Sequence, residues 1–250
     1  MTTQLDPAQV PIQCLWIGDT LSNLEATCLA SFIWHGHPLH LYCYQDISNL
    51  PSGVTLMDAN AVLPESDISY YADSETVPGF ANLFRYKLLS EKGGIWVDCD
   101  VVCLRPFLFQ QEHIFPTERP DQVSNFVLKA PANSPVLNAA YQIASEFDRE
   151  TIRFGQTGPI LLNFLASKFD LSRCTMHHDV FCPIPYQSYQ ELLSSGGMEA
   201  RSELLESAYG LHLWNEMWRL GGIDKNGTFP ESSIYGAMQL KYLDGKNDSI

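Results

Sequence analysis

Basic residues are scarce in this sequence. The 250-residue chain carries 15 Lys and Arg against 29 Asp and Glu, a formal net charge of −14. A nucleic-acid partner needs clustered Lys and Arg to displace counterions, so none is expected. Electrostatic attraction to an anionic membrane is not expected either, for the same reason. A small phosphorylated ligand stays compatible with the charge, because one metal ion supplies the positive charge locally. Long hydrophobic runs are also missing. No stretch approaches the roughly 18 apolar residues of a transmembrane helix. The opening "MTTQLDPAQVPIQ" lacks the basic and apolar regions of a signal peptide, so none is expected. Cysteine pairs of the CxxC kind do not occur. Cys14, Cys28, Cys43, Cys99, Cys103, Cys174 and Cys182 are scattered and odd in number, as buried free thiols in a reducing, cytoplasmic setting would be.

What is present is a globular composition, 45% hydrophobic and 18% charged. No repeat, linker or low-complexity tract divides it, so one domain over 1–250 is expected. "PIQCLWIG" (11–18) reads as a buried strand. Leu21, Leu24, Cys28 and Phe32 then recur at helical spacing, and Gly36 closes that segment. "HPLHLYCYQ" and "VTLMDAN" read as two more strands, and "LPESDISYYADSETVPG" as a loop or flap. The order strand, helix, strand points to an α/β fold with a mainly parallel central sheet flanked by helices. "GFANLFRYKLLSEKGG" (79–94) reads as a helix with Phe84 and Leu88 on one face and Asn82, Arg85 and Leu89 on another. "SNFVLKAPA" reads as a strand. "SPVLNAAYQIASEFD" and "TGPILLNFLASKF" read as helices, "DVFCPIP" as a short strand, and the tail from Gly221 as irregular.

One stretch raises a chemical question. In "EKGGIWVDCDVVCLRPF" (91–107) two carboxylates, Asp98 and Asp100, interrupt an apolar strand. Burying one unpaired charge is costly and burying two like charges more so. On a strand, residues i and i+2 point the same way, which lets both carboxylates face one hard cation, Mg²⁺ or Mn²⁺. Gly93 and Gly94 upstream remove bulk and would let a ligand approach the backbone. Strand-end aspartates paired with Arg or water are the plain alternative.

"FANLFRYKLLSEKGGIWVDCDVVCLRPF" (80–107) resembles the DXD-containing sugar-binding region of a family of retaining glycosyltransferases. That family includes bacterial capsular and lipopolysaccharide glycosyltransferases, fungal α-1,6-mannosyltransferases and the α-1,4-galactosyltransferase that makes globotriaosylceramide. The catalytic domains of clostridial glucosylating toxins are more distant relatives. "LWIG" (15–18), "TGP" (157–159) and "HLWN" (212–215) resemble further family segments in the same order.

The resemblance implies a GT-A fold, with a nucleotide-binding part over about 11–107 and an acceptor-side and C-terminal part over about 108–250. It implies a metal-dependent, retaining transfer from a nucleotide-sugar donor, UDP-linked rather than GDP-linked, to a saccharide or lipid-linked saccharide. The setting would be bacterial surface polysaccharide synthesis, in the cytoplasm or peripheral at the inner membrane. Asp98 and Asp100 would hold Mn²⁺ (or Mg²⁺) against the diphosphate, whose departing charge the metal stabilises. Arg85 would bond the donor sugar. Leu15, Trp16, Asn82, Tyr86, Gln156, Thr157 and Gly158 would line the donor site, with Trp16 either stacking on the base or buried in the core. Thr157 either lines the sugar pocket or caps a helix. Either His212 or Asn215 would complete the metal shell. Asn82 stands where the family often has Asp, so donor choice does not transfer.

Other features point elsewhere. "MHHD" (176–179) offers two imidazoles, but adjacent His residues rarely converge on one ion. "HGH" (35–37) reads as a turn, and "DKNGT" (224–228) departs from the calcium-loop pattern. "IWVDCDVV" also resembles the nucleophile strand of haloacid-dehalogenase phosphatases, but about 90 residues precede it and no later acidic pair follows. A non-catalytic carbohydrate-binding module is the third reading.

Overall fold

The computed structural model describes residues 5–70, 77–148, 151–243 and 245. Part of the expected flap, residues 71–76, lies outside them. The described residues form ten strands: β1 (Ile12–Leu15), β2 (Leu39–Cys43), β3 (Val54–Asp58), β4 (Gly94–Val97), β5 (Val101–Cys103), β6 (Phe115–Arg119), β7 (Gln122–Val123), β8 (Val127–Ala130), β9 (Thr175–Met176) and β10 (Gly210–His212). The helices are α1 (Asn23–Trp34), α2 (Pro78–Lys92), α3 (Pro135–Ser145), α4 (Leu161–Phe169), α5 (Gly197–Ala200), α6 (Ser202–Ser207), α7 (Asn215–Leu220) and α8 (Ile234–Tyr242).

The main sheet has the order β3-β2-β1-β4-β8. All its pairs are parallel except β4 with β8. From β1 the chain runs outward through β2 to β3, then returns to place β4 on the other side of β1. The carboxyl ends of β1 and β4 therefore flank a topological switch point, where open α/β sheets form their ligand crevice.

Alternation along the strands builds a core on each face. Ile12, Cys14, Leu39, Leu41, Ile95 and Val97 pack with α1 and α8, whereas Tyr42, Trp96, Leu128 and Ala130 pack with α2, α3 and α4. Helix α1 starts in a capping box: Glu25 accepts from the Ser22 N–H at 2.9 Å and from its hydroxyl. Glu25 is buried and pairs with Lys225 at 2.5 Å. "HGH" is a turn at the end of α1, as read. His37 is buried, 2.8 Å from the Val10 carbonyl through Nδ1, and its Nε2 accepts from the Phe107 N–H at 2.9 Å. Burial holds its pKa below the usual histidine value, against the opposing pull of the Val10 hydrogen bond.

Four local expectations need correction. Asp98, Cys99 and Asp100 are not part of a continuous strand. They form a turn, with the Val101 N–H bonded to the Asp98 carbonyl at 3.2 Å, and β5 leaves the main sheet to pair antiparallel with β10. "DVFCPIP" forms a 3-10 turn (His178–Val180) and irregular chain rather than a strand, and the tail contains α8. Gly93 and Gly94 serve internal packing rather than ligand approach. Both have positive φ, and a Cβ at Gly93 would sit 2.5 Å from the Ala132 nitrogen, one at Gly94 2.7 Å from Gln13 Nε2.

Candidate active site

The turn at the end of β4 splits its two carboxylates between different partners. Asp98 faces α2. Arg85 Nη1 lies 2.9 Å from Asp98 Oδ1, and Trp96 Nε1 donates to the same oxygen at 2.8 Å. Trp96 stands two residues before Asp98 and its ring lies under the guanidinium, 5.0 Å from Arg85 Cζ. Arg85 also donates to the Asn125 carbonyl at 2.7 Å and the Ala81 carbonyl at 3.1 Å, and it is only 4% exposed. Burial raises the Asp98 pKa. The Arg85 charge opposes that rise and the Asp100 charge adds to it.

Asp100 faces the C-terminal segment. His212 Nε2 lies 3.2 Å from Asp100 Oδ2, and the Asn215 N–H donates to the same oxygen at 3.0 Å. The Asp100 carbonyl accepts from Leu213 N–H at 2.8 Å, so the β5–β10 ribbon fixes this approach. The His212 ring is held between Phe126, stacked at 4.4 Å and 12°, and Trp214 at 4.0 Å. Trp214 itself adopts φ 60°, the left-handed region a bulky residue seldom enters. This conformation turns the chain from β10 into α7 and aims Asn215 at Asp100. Burial pushes the Asp100 carboxyl up, but the facing His212 and the Asn215 N–H outweigh it and leave the pKa lowered. The reciprocal holds for His212: burial pulls down, Asp100 pushes up, and the net is raised.

The Asn215 side-chain oxygen, Oδ1, is buried beside Asp100 and has no hydrogen-bond partner. A buried acceptor left unpaired costs free energy, so it marks a place where a donor or cation fits. Asp100, His212 and Asn215 thus present a carboxylate, an imidazole and an amide oxygen, a donor set that suits Mn²⁺ and, less well, Mg²⁺. Among the described residues, the one group of three His, Cys, Asp or Glu donors within 4.8 Å of one another is His177, His178 and Asp179. The adjacent histidines of "MHHD" do therefore approach each other, against expectation, but His177 is exposed.

Trp16 follows β1 at the switch point. It is half-buried. Its Nε1 donates to the Thr20 carbonyl at 3.1 Å, and Lys225 Nζ lies 5.9 Å from the ring centroid. The Cys99 thiol donates to the Leu15 carbonyl at 3.3 Å, which ties the DXD turn to the end of β1. Leu15 and Cys99 are thereby in contact, with Trp16 and Asp98 next to them in sequence.

Asn82, Tyr86, Thr157 and Gly158 meet one another, but inside the protein. Asn82 Nδ2 donates to Thr157 Oγ1 at 3.2 Å, and its Oδ1 accepts from Asn125 Nδ2 at 2.7 Å. Tyr86 Oη donates to the Thr157 carbonyl at 2.9 Å. Thr157 is 1% exposed and Asn82 5%. A Cβ on Gly158 would stand 3.1 Å from Asn82 Nδ2, so the turn closes directly on α2. Gln156 is half-buried and accepts the Arg153 N–H at 2.6 Å. Four neighbours escaped the sequence reading: Trp96, Lys225, Asn125 and Phe126. The i,i+2 spacing of Trp96 and Asp98 was a usable signal for the first; nothing local marked the others.

Residues 43–120 match the family model described as the glycosyltransferase sugar-binding region containing DXD motif. Over that span the chain carries the DXD sugar-binding region of glycosyltransferases. Its fold is of the GT-A type. No curated protein matches the glycosyltransferase by sequence. Among solved structures it resembles the PaToxG glycosyltransferase, with TM-score 0.50, 13% identity, 94% of this chain and 85% of that one covered. Looser likenesses are the ligand-free glycosyltransferase domain from the YGT toxin (TM-score 0.46, 8% identity, 67% and 79% covered) and the apo-form glycosyltransferase GlyE of Streptococcus pneumoniae TIGR4 (TM-score 0.46, 11% identity, 94% and 63% covered). No helix of the described residues is long and apolar enough to cross a membrane.

Proposed function

We propose that this glycosyltransferase moves a hexosyl group from a nucleoside diphosphate sugar to a saccharide acceptor, with a divalent cation, Mn²⁺ or Mg²⁺, and with retention at the anomeric carbon. The observation that carries the reading is the unpaired, buried Oδ1 of Asn215 beside Asp100 and His212. These three residues would hold the cation, which supplies Lewis-acid stabilisation of the departing diphosphate. His212 would ligate as the neutral imidazole. Asp98, held by Arg85 and Trp96, presents a neutralised carboxylate at the crevice, suited to accept hydrogen bonds from ribose or sugar hydroxyls. Trp16 offers a half-exposed ring for the base, with UDP as the favoured nucleotide. Surface polysaccharide synthesis in the cytoplasm is the setting we favour.

The test is a panel of UDP- and GDP-sugars assayed for nucleotide release with Mn²⁺ and with EDTA. Metal-dependent release from one sugar, and a product of the donor's own anomeric configuration, is the expected result. Absence of release across the panel, beside hydrolysis of phosphate monoesters, would transfer the site to the phosphatase reading. A companion prediction concerns the base. Trp16→Ala is expected to weaken UDP binding, measured calorimetrically with Mn²⁺ present, by roughly 1–3 kcal/mol, the range for base–aromatic stacking. Thermal stability should change little, since the ring is only half-buried. An unchanged Kd in the folded variant would assign Trp16 to packing alone.

A further inference from the structure

Neighbouring side chains diverge on a regular strand or helix, so adjacent histidines seldom meet. In "MHHD" a tight turn removes that obstacle. His177 has an open, non-helical backbone, φ −54° and ψ 144°, and a 3-10 turn, His178–Val180, starts directly after it. The Val180 N–H returns to the His177 carbonyl at 3.0 Å, and the Phe181 N–H returns to the His178 carbonyl at 3.1 Å. The fold brings the three side chains to one place. One donor atom from each of His177, His178 and Asp179 lies within 4.8 Å of the others, and the two imidazole centroids are 4.0 Å apart.

The spacing inside this group is that of a coordination site rather than of a hydrogen-bonded cluster. His177 Nδ1 stands 3.3 Å from Asp179 Oδ2, and His178 Nε2 stands 3.5 Å from Asp179 Oδ1. Good N–H···O hydrogen bonds are shorter, about 2.7–3.2 Å. The Asp179 N–H also reaches His177 Nδ1 only at 3.4 Å. Metal–ligand bonds of about 2.0–2.2 Å, by contrast, set neighbouring donors roughly 3–3.5 Å apart. Each imidazole addresses a different oxygen of the one carboxylate, so an ion between them meets both rings and the carboxylate together. His178 Nδ1 has no hydrogen-bond partner, so turning Nε2 to a cation breaks no bond that the ring makes through its other nitrogen.

Charge, access and support agree with this. Among the described residues no Lys or Arg pairs with Asp179, so no internal cation competes for its carboxylate. The His177 side chain is 64% exposed, which gives an ion an entry path and leaves room for water as a further ligand. The turn itself is anchored. Phe181 and Cys182, which follow it, are buried. The Tyr209 N–H bonds the Val180 carbonyl at 2.9 Å, and the His212 N–H bonds the Phe181 carbonyl at 3.0 Å. Little ordering is left for a ligand to impose. Two imidazole nitrogens with one carboxylate form a borderline donor set, which suits Zn²⁺ better than Mg²⁺ or Ca²⁺.

We propose that His177, His178 and Asp179 form a binding site for Zn²⁺ or a similar transition-metal dication, sharing no residue with the group made by Asp100, His212 and Asn215. A bound ion would tie down the turn and brace the Phe181 segment against the chain entering His212.

The test reads binding and stability, so it stands apart from the glycosyltransferase reading. The whole, untagged, metal-free chain is titrated calorimetrically with Zn²⁺, and its melting temperature is measured with and without the ion. Saturable binding that raises the melting temperature is expected, with His177→Ala and Asp179→Asn each weakening it at least about tenfold and removing that rise. Circular dichroism checks the fold; if Asp179→Asn unfolds, His177→Ala decides, because its side chain is mostly in solvent. Asp100→Asn is titrated beside them. Zn²⁺ binding that Asp100→Asn abolishes and His177→Ala leaves intact overturns the proposal and moves the ion to the DXD turn. No saturable binding up to about 0.1 mM Zn²⁺, or equal affinity in the folded His177→Ala variant, overturns it in favour of an adventitious ion only.

Discussion

Asp100→Ala is expected to lower metal-dependent turnover of the donor by at least about a hundredfold, the order lost when an electrostatic stabiliser of a leaving charge is removed. The side chain serves two contacts at once, accepting from His212 and from the N–H of Asn215, whose own side-chain oxygen is buried and unpaired. An acidic cluster seen in sequence suggests that its removal would relieve repulsion and stabilise the fold. The pairing of each carboxylate points to the opposite outcome. Each carboxylate has its own cation or donor, and the Asp100 pKa is lowered, so the ionised form is favoured in the folded state. Removing it leaves His212 and the Asn215 N–H without their acceptor, a loss of about 1–3 kcal/mol. The measurements are nucleotide release at saturating Mn²⁺ and the melting temperature. More than about a tenth of the wild-type rate in a folded Asp100→Ala protein would sink the metal-site assignment, since a tenfold loss is only about 1.4 kcal/mol of barrier.

The second large effect belongs to Arg85→Met. Methionine keeps much of the volume and removes the charge. Asp98 would then keep the Trp96 N–H and lose its cation, and the Asn125 carbonyl would lose its donor. Breaking a buried ion pair from one side costs about 3–5 kcal/mol; with 27% of the Asp98 side chain exposed, about 2–4 kcal/mol is the fitting range. For a chain of this length the melting temperature should fall by roughly 5–15 °C. Activity should fall further than stability explains, because the carboxylate at the end of β4 is no longer oriented. The double change Arg85→Met with Asp98→Asn should regain much of the stability and none of the activity. Stability unchanged in Arg85→Met would show that the pair contributes nothing to the fold.

Much of the fold was legible because it rests on local pattern. The strand-helix-strand opening, the helix from Pro78 to Lys92 with its Gly93 stop, and β8 all follow from periods of 2 and 3.6 and from glycine and proline boundaries. The DXD motif was legible as chemistry but not as shape. Alternation along a strand predicted that Asp98 and Asp100 share a direction, whereas the Asp98–Asp100 turn sends one to α2 and the other to β10. No local rule reports that β5 abandons the main sheet for a partner more than a hundred residues later. The donor-lining role read for Asn82 and Thr157 met a similar limit. A polar residue on a helix face looks free in sequence, but these two are consumed in a buried network with Tyr86 and Asn125. Helix α8 was missed because its flanks are polar and glycine-rich while its own buried residues, Ile234, Tyr235, Met238 and Tyr242, include two tyrosines that blur the apolar stripe.

The packing of α1 against α8 has a consequence for the order of events on the ribosome. Every strand of the main sheet is encoded before residue 131, yet the side of α1 that packs on α8 stays open until residues 234–242 emerge to share its core. Asp100 likewise waits for residues 212–215 before its carboxylate is bonded. A nascent chain paused in between carries a formed sheet whose covering helix α1 leaves apolar side chains bare, a state prone to aggregate or to engage chaperones. Translation stalled ahead of residue 234 is therefore expected to yield chaperone-bound, inactive chains, and activity should appear only once residues 234–242 have emerged.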